Sequence, residues 1–135
     1  MENQVFYRCS ICGNLITMLE DSGIAPVCCG QKMNKLDPGT TDASHEKHVP
    51  IIDCEERKVF ITVGELPHPM SELHYIEWIW LQTTRGGHLR KLYPGEAPSA
   101  RFRICASERP LCAWAWCNLH GLWKSAVCAE KEESS

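Results

Sequence analysis

Cysteine and histidine are the residues of this chain best suited to chemistry, nine and six of them in 135 positions. Cys9-Ser10-Ile11-Cys12 leaves two residues between two thiols, a loop that can turn so that both sulfurs face one ion. Cys28 and Cys29 are adjacent, so their side chains start in different directions. Bringing both to one tetrahedral ion requires a tight local turn, which Gly30 permits, and the geometry should be distorted. Four thiolates select zinc or iron, and ligand identity alone does not separate the two. One or two disulfides would use the same residues.

The histidines stand at His45, His48, His68, His74, His88 and His120. His48 lies in Glu46-Lys47-His48-Val49-Pro50 and His68 in Leu66-Pro67-His68-Pro69-Met70, where prolines stiffen the backbone beside the imidazole. His74 opens a long predicted strand. Cys117-Asn118-Leu119-His120-Gly121 sets a thiol and an imidazole three positions apart on a glycine-containing loop, a spacing at which both can reach one ion, and Trp123 can wall that site from solvent. His48, His68, His74, His120 and Cys117 together offer more donors than a closed zinc site takes. Five ligands on an ion that prefers six leave one position for a small molecule. Taken singly, His68 also reads as a surface loop residue, His74 as a satisfied strand histidine and Cys117 as a small buried hydrophobe.

Two units must position these residues. Cys9, Cys12, Cys28 and Cys29 crowd the first 30 residues, and the turn-rich stretch from Asp37 to Ser44 follows them. A boundary near residue 38 separates a first unit, residues 1–38, too small to rely on a hydrophobic core and in need of a staple, from a second over residues 39–128. In the second, Val59, Ile61 and Val63 alternate with Lys58, Phe60 and Thr62 as in a half-buried strand ending at Gly64. Further strands are expected over His74 to Thr84, His88 to Tyr93 after an Arg85-Gly86-Gly87 turn, Arg101 to Cys105, and Leu111 to Cys117. No helical period runs over three turns, and strands at this spacing predict an antiparallel sandwich. Residues 129–135, charged and serine-containing, predict a disordered tail.

Composition narrows the setting. The chain is 44% hydrophobic and 23% charged, a folded composition, and its net charge of -3 gives no reason to expect nucleic acid or an anionic membrane as partner. No apolar run suits a membrane span, and the first twenty residues carry Glu2, Arg8 and Glu20 in place of a signal-peptide core. A reducing cytoplasmic setting is therefore expected, which with the odd cysteine number favours metal or free thiol over disulfide. Cys54, Cys105, Cys112 and Cys128 should then pack as small apolar side chains.

Four segments, taken in order, go further: Glu46-Lys47-His48-Val49-Pro50, Pro67-His68-Pro69-Met70, His74-Tyr75-Ile76-Glu77-Trp78-Ile79 and Cys117-Asn118-Leu119-His120-Gly121-Leu122-Trp123-Lys124 resemble the signature segments of superoxide reductases. Cys9, Cys12, Cys28 and Cys29 resemble the desulforedoxin-type domain that desulfoferrodoxins carry ahead of the catalytic one. The resemblance runs from about Tyr7 to Lys124. It implies a mainly β protein: a small metal-stapled desulforedoxin/rubredoxin-like domain with an iron on four cysteines, then an immunoglobulin-like antiparallel β-sandwich, usually in a homodimer. It also implies that His48, His68, His74 and His120 form the equatorial plane of a second iron with Cys117 as axial thiolate. Glu46 would correspond to the carboxylate that takes the sixth position in the ferric resting state, and Lys47 to the cation beside the incoming anion. His45 and His88 have no place in the pattern and are expected at the surface. The implied activity is one-electron reduction of superoxide to hydrogen peroxide, with electrons typically from rubredoxin. The four-cysteine centre is expected to staple its domain. The alternative from another class is a non-enzymatic electron-transfer or metal-binding module, and a second rival is superoxide dismutation.

Overall fold

In a computed structural model, residues 4–39 and 45–127 are described, and the chain divides into two units, Met1–Asp37 and Pro38–Ser135. Cys128 and the expected tail over residues 129–135 lie outside the described residues, as do residues 40–44 and the side chains of His45 and Glu46.

Strands of two or three residues make up the first unit. β1 (Phe6–Arg8) pairs antiparallel with β2 (Leu15–Thr17) on one side and, beyond the hairpin β3 (Val27–Cys28) and β4 (Gln31–Lys32), with β5 (Asn34–Lys35) on the other. Its core cluster is Tyr7, Cys9 and Met33, with Val5, Ile16, Met18, Ala25 and Cys28 partly buried against it. So small a core is far below what holds a domain, and ordered strands here require a cross-link or a bound ion.

Alternation builds the second unit. After a single helical turn, α1 (His45–His48), come β6 (Pro50–Glu55), β7 (Lys58–Val63), β8 (Ile76–Thr83), β9 (Gly86–Lys91), β10 (Ser99–Arg103), β11 (Pro110–Cys117) and β12 (Gly121–Ala126). They form two antiparallel sheets, ordered β10-β7-β6 and β12-β11-β8-β9, the 3 + 4 arrangement of an immunoglobulin-like sandwich. Every second residue points inward, so Val59, Ile61 and Val63 of β7 and Phe102 of β10 meet Ile79 and Leu81 of β8 and Ala113, Ala115 and Cys117 of β11 in one core. Alanines in β11 leave room for the branched residues opposite. Among the described residues, no helix is long and apolar enough to cross a membrane.

Departures from the sequence reading have local causes. β6 and β12 were not expected, and α1 is helical where no helix was. The β8–β9 hairpin turns at Thr84-Arg85, one residue earlier than the glycines suggest, because Gly86 and Gly87 are already paired with Thr83 and Gln82. Gly87 serves packing instead: a β-carbon there would lie 1.9 Å from Cζ2 of Trp80, whose ring occupies that space. His74 stands two residues ahead of β8, in a Ser71–His74 turn closed by hydrogen bonds in both directions.

Candidate metal centres

In the first unit the chain returns to itself after β1. The Cys9 N–H donates to the Asn14 carbonyl and the Gly13 N–H to the Cys9 carbonyl, both at 2.9 Å, while the Cys12 N–H points to Cys9 Sγ at 3.5 Å. Opposite this knuckle the β3–β4 hairpin turns through Cys29 and Gly30, both left-handed, at φ 52° and 78°. Cys29 adopts a conformation that non-glycine residues rarely take, and it thereby turns the second of two adjacent thiols back toward the first. The four sulfurs lie within 4.8 Å of one another, with Cys12 and Cys28 3.6 Å apart. Gln31 Nε2 donates to Ser10 Oγ at 2.7 Å, tying the two halves together. The Cys12 N–H holds the Cys9 thiol down to about 6, whereas hydrogen bonds with Cys12 and Cys9 push Cys29 up to about 12 and raise Cys28. Clustered thiols cannot all ionise unaided, so four thiolates here need a cation among them.

Five further donors converge in the second unit, and antiparallel pairing is the reason. The start of β6, the end of β7, the start of β8, the end of β11 and the start of β12 share one end of the sandwich, as the pairs Pro50↔Val63, Cys117↔Ile76 and Cys117↔Gly121 record. His48 ends α1 just ahead of β6, His68 follows β7, His74 precedes β8, Cys117 ends β11 and His120 precedes β12. Their ligand atoms lie within 4.8 Å of one another. The four imidazoles stand in a square: neighbouring ring centres are 4.7 Å (His48–His68), 4.7 Å (His68–His74), 5.0 Å (His74–His120) and 4.8 Å (His120–His48) apart, each pair edge to face. The His48–His74 diagonal is 6.5 Å. His120 turns Nδ1 inward, 3.0 Å from His48 Nε2 and 3.9 Å from Cys117 Sγ.

A cation fits this set. His68 Nδ1 donates to the Pro69 carbonyl at 2.7 Å, so Nε2 carries the lone pair, and that atom is buried without a hydrogen-bond partner; so is His74 Nε2. Unpaired buried nitrogens are costly, and two aimed into a cluster with a thiol are accounted for by a metal ion. Burial pushes His68 down to about 4 and also lowers His74, with the charge of Lys47 a lesser influence on His74. Both imidazoles are thus neutral, the form that binds metal. Burial raises the Cys117 thiol, and the N–H groups of Leu119 and His120 draw it back. Lys47 is exposed on α1, next to buried His48.

Residues outside the predicted set hold these loops. Asn118 Oδ1 accepts from the Tyr75 N–H at 2.9 Å and Nδ2 donates to the Leu73 carbonyl at 3.0 Å, clasping His74 on both sides from the residue after Cys117. Between Trp116 and Cys117 the β11–β8 register shifts, leaving Glu77 as an extra residue whose carboxylate accepts from Trp116 Nε1 at 3.2 Å. Asn118 stands inside the Cys117–His120 motif and was legible there as a hydrogen-bonding residue; the bulge has no local signature. His88 is not a bare surface residue. Its Nε2 lies 2.8 Å from buried Glu108, whose carboxylate also accepts from Thr83 Oγ1 and the Cys105 N–H. Of the remaining cysteines, Cys112 is buried and Cys54 packs partly against the core, but Cys105 is exposed on the turn after β10, contrary to expectation. No disulfide joins the described cysteines.

Comparison with known proteins agrees over both units. A family model described as desulfoferrodoxin matches residues 40–126, and one described as desulfoferrodoxin, N-terminal domain, matches residues 1–36. The chain is 43% identical over 119 residues to a desulfoferrodoxin homolog of Archaeoglobus fulgidus, covering 88% of this chain and 94% of that one. It is 43% identical over 126 residues to a desulfoferrodoxin of Nitratidesulfovibrio vulgaris, covering 93% and 98%. Among solved structures, the superoxide reductase from Treponema pallidum superposes with a TM-score of 0.78 at 32% identity, over 91% of this chain and 98% of its own.

Proposed function

We infer that this chain, which belongs to the desulfoferrodoxin family, is a superoxide reductase with two iron centres, one on Cys9, Cys12, Cys28 and Cys29 and one on His48, His68, His74, His120 and Cys117. The observation that carries it is the square of imidazoles with a thiol beside it and two buried Nε2 atoms otherwise unpartnered. His48, His68, His74, His120 and Cys117 would hold a ferrous iron, which would supply one electron to a small anion.

The chain's own residues do the rest. The Pro69 carbonyl sets the tautomer of His68 and Asn118 holds the backbone on both sides of His74, so the donors wait in position and little reorganisation accompanies the reaction. Cys117 provides a thiolate in a buried setting, where its electron donation is weakly screened. Lys47, exposed beside His48, acts through charge by drawing the superoxide anion inward, and the low net charge of -3 scarcely opposes it. Glu46, one residue before Lys47 in the sequence, would supply the carboxylate ligand of the oxidised resting state. One superoxide, one electron and two protons from solvent give one hydrogen peroxide. The electron comes from a rubredoxin-like donor in the cytoplasm, the protein works as a homodimer, and the four-cysteine centre staples the first unit.

Superoxide consumption measured with a rubredoxin and its reductase tests this reading. One hydrogen peroxide per superoxide, without dioxygen, and with loss of activity in His68→Ala, is expected. Dioxygen evolution without reductant would instead indicate dismutation, and consumption indifferent to His68→Ala would leave only an electron-transfer module.

A further inference from the structure

Gly64 follows β7 at φ +86°, in the left-handed region, beyond the last core residue Val63. A β-carbon on it would lie 2.6 Å from the Lys47 carbonyl oxygen, 2.7 Å from the Lys47 carbonyl carbon and 2.6 Å from the Leu66 carbonyl oxygen. All three are backbone atoms, so no side-chain rotation relieves the clash. The Gly64 N–H donates to the Val49 carbonyl at 3.0 Å, which holds it against the segment it would strike. Lys47 immediately precedes His48, and Leu66 stands two residues before His68, with stiff Pro67 between. The two histidine-bearing segments thus make their close approach across a position that carries no side chain.

We propose that Gly64 is a positioning residue for the His48–His68 edge of the square, whose ring centres are 4.7 Å apart. Any side chain at 64 must push the Lys47 and Leu66 carbonyls outward and spread that edge, so the absence of a β-carbon sets the metal affinity of the five-donor centre. The core lies on the inward faces of the strands, and Gly64 follows its last residue on β7, Val63, at the tip of that strand. The inference rests on the reading that these five donors hold a metal, and its test uses binding, not turnover.

Gly64→Ala is compared in the full chain with Gly95→Ala, because Gly95 has φ +91° yet nothing within 4 Å of its would-be β-carbon, so it carries the backbone strain without the wedge. Cobalt(II) is titrated into metal-free second sites and read by its thiolate charge-transfer band, with far-ultraviolet dichroism and the occupancy of the four-cysteine centre measured on the same samples. The expected result is binding weakened about 10- to 100-fold in Gly64→Ala, with dichroism and the first centre unchanged and Gly95→Ala like the parent. In a His68→Ala background, Gly64→Ala should add little, since that edge is already broken. Parent-like affinity in Gly64→Ala, equal loss in Gly95→Ala, full additivity with His68→Ala, or a sandwich that no longer folds each overturns the proposal. A parent chain that binds no cobalt through Cys117 would overturn the five-donor reading itself, and this inference with it.

Discussion

The indole of Trp123 stacks on the imidazole of His48, ring centres 4.9 Å apart and planes 24° from parallel, and its Nε1 donates to the His120 carbonyl at 3.1 Å. One buried side chain therefore touches two corners of the histidine square. Trp123→Phe retains a stacking ring but loses the hydrogen bond, a stability loss of about 1 kcal/mol. Trp123→Ala opens a cavity in the wall and should destabilise by about 3–5 kcal/mol. Urea unfolding of both variants checks the order; equal effects would mean that the stack contributes nothing.

Asn118 is the other clasp, through its bonds to Tyr75 and Leu73. Asn118→Ala removes two hydrogen bonds, one partly buried and one exposed, worth about 1–2 kcal/mol together, and frees the turn that carries His74. Metal at the five-donor centre should become more easily removed by chelator, while the four-cysteine centre keeps its occupancy. Equal loss from both centres would point to general unfolding.

Lys47 is expected to act on the approach of the anion and not on its protonation. Lys47→Ala should lower the second-order rate constant for superoxide and flatten its dependence on ionic strength, while the visible spectrum stays as in the parent. Pulse radiolysis over a range of salt concentrations measures both; an unchanged rate constant would refute the role.

The Glu108 carboxyl is held down to about 2 from its usual 4.5, chiefly by His88 and then by Thr83 and the Cys105 N–H. A group with a depressed folded value stabilises the fold above its unfolded value and loses that contribution as pH falls through the folded one. Stability should therefore decline from about pH 5 toward about pH 2, and Glu108→Gln, already lacking the charge, should show a shallower decline. Thermal midpoints of the two proteins across that range decide it, and parallel curves would assign the acid sensitivity elsewhere.

Much of this was legible in the residues alone. Alternation marked β7 because a half-buried strand must alternate, and the spacings of Cys9 with Cys12 and of Cys117 with His120 are local, so they survive in a string of letters. The small size of the first unit demanded a staple whatever its fold. β6 escaped notice, its Ile51 exposed beside half-buried Ile52, since burial on an edge strand is decided by the other sheet.

Sequence by itself determined which side chains can bind metal and that two units would carry them. Tertiary structure alone decided that five donors meet at one end of the sandwich, that His120 presents Nδ1, and that His88 is bonded to Glu108. It also decided what the glycines are for: Gly87 reads as a turn but makes room for Trp80, and Gly64 reads as a strand end but separates Lys47 from Leu66. The physical reason is the same in each case. Periodicity and spacing are set by forces along the chain, whereas close approach between segments distant in sequence is set by packing, which leaves no mark on neighbouring residues.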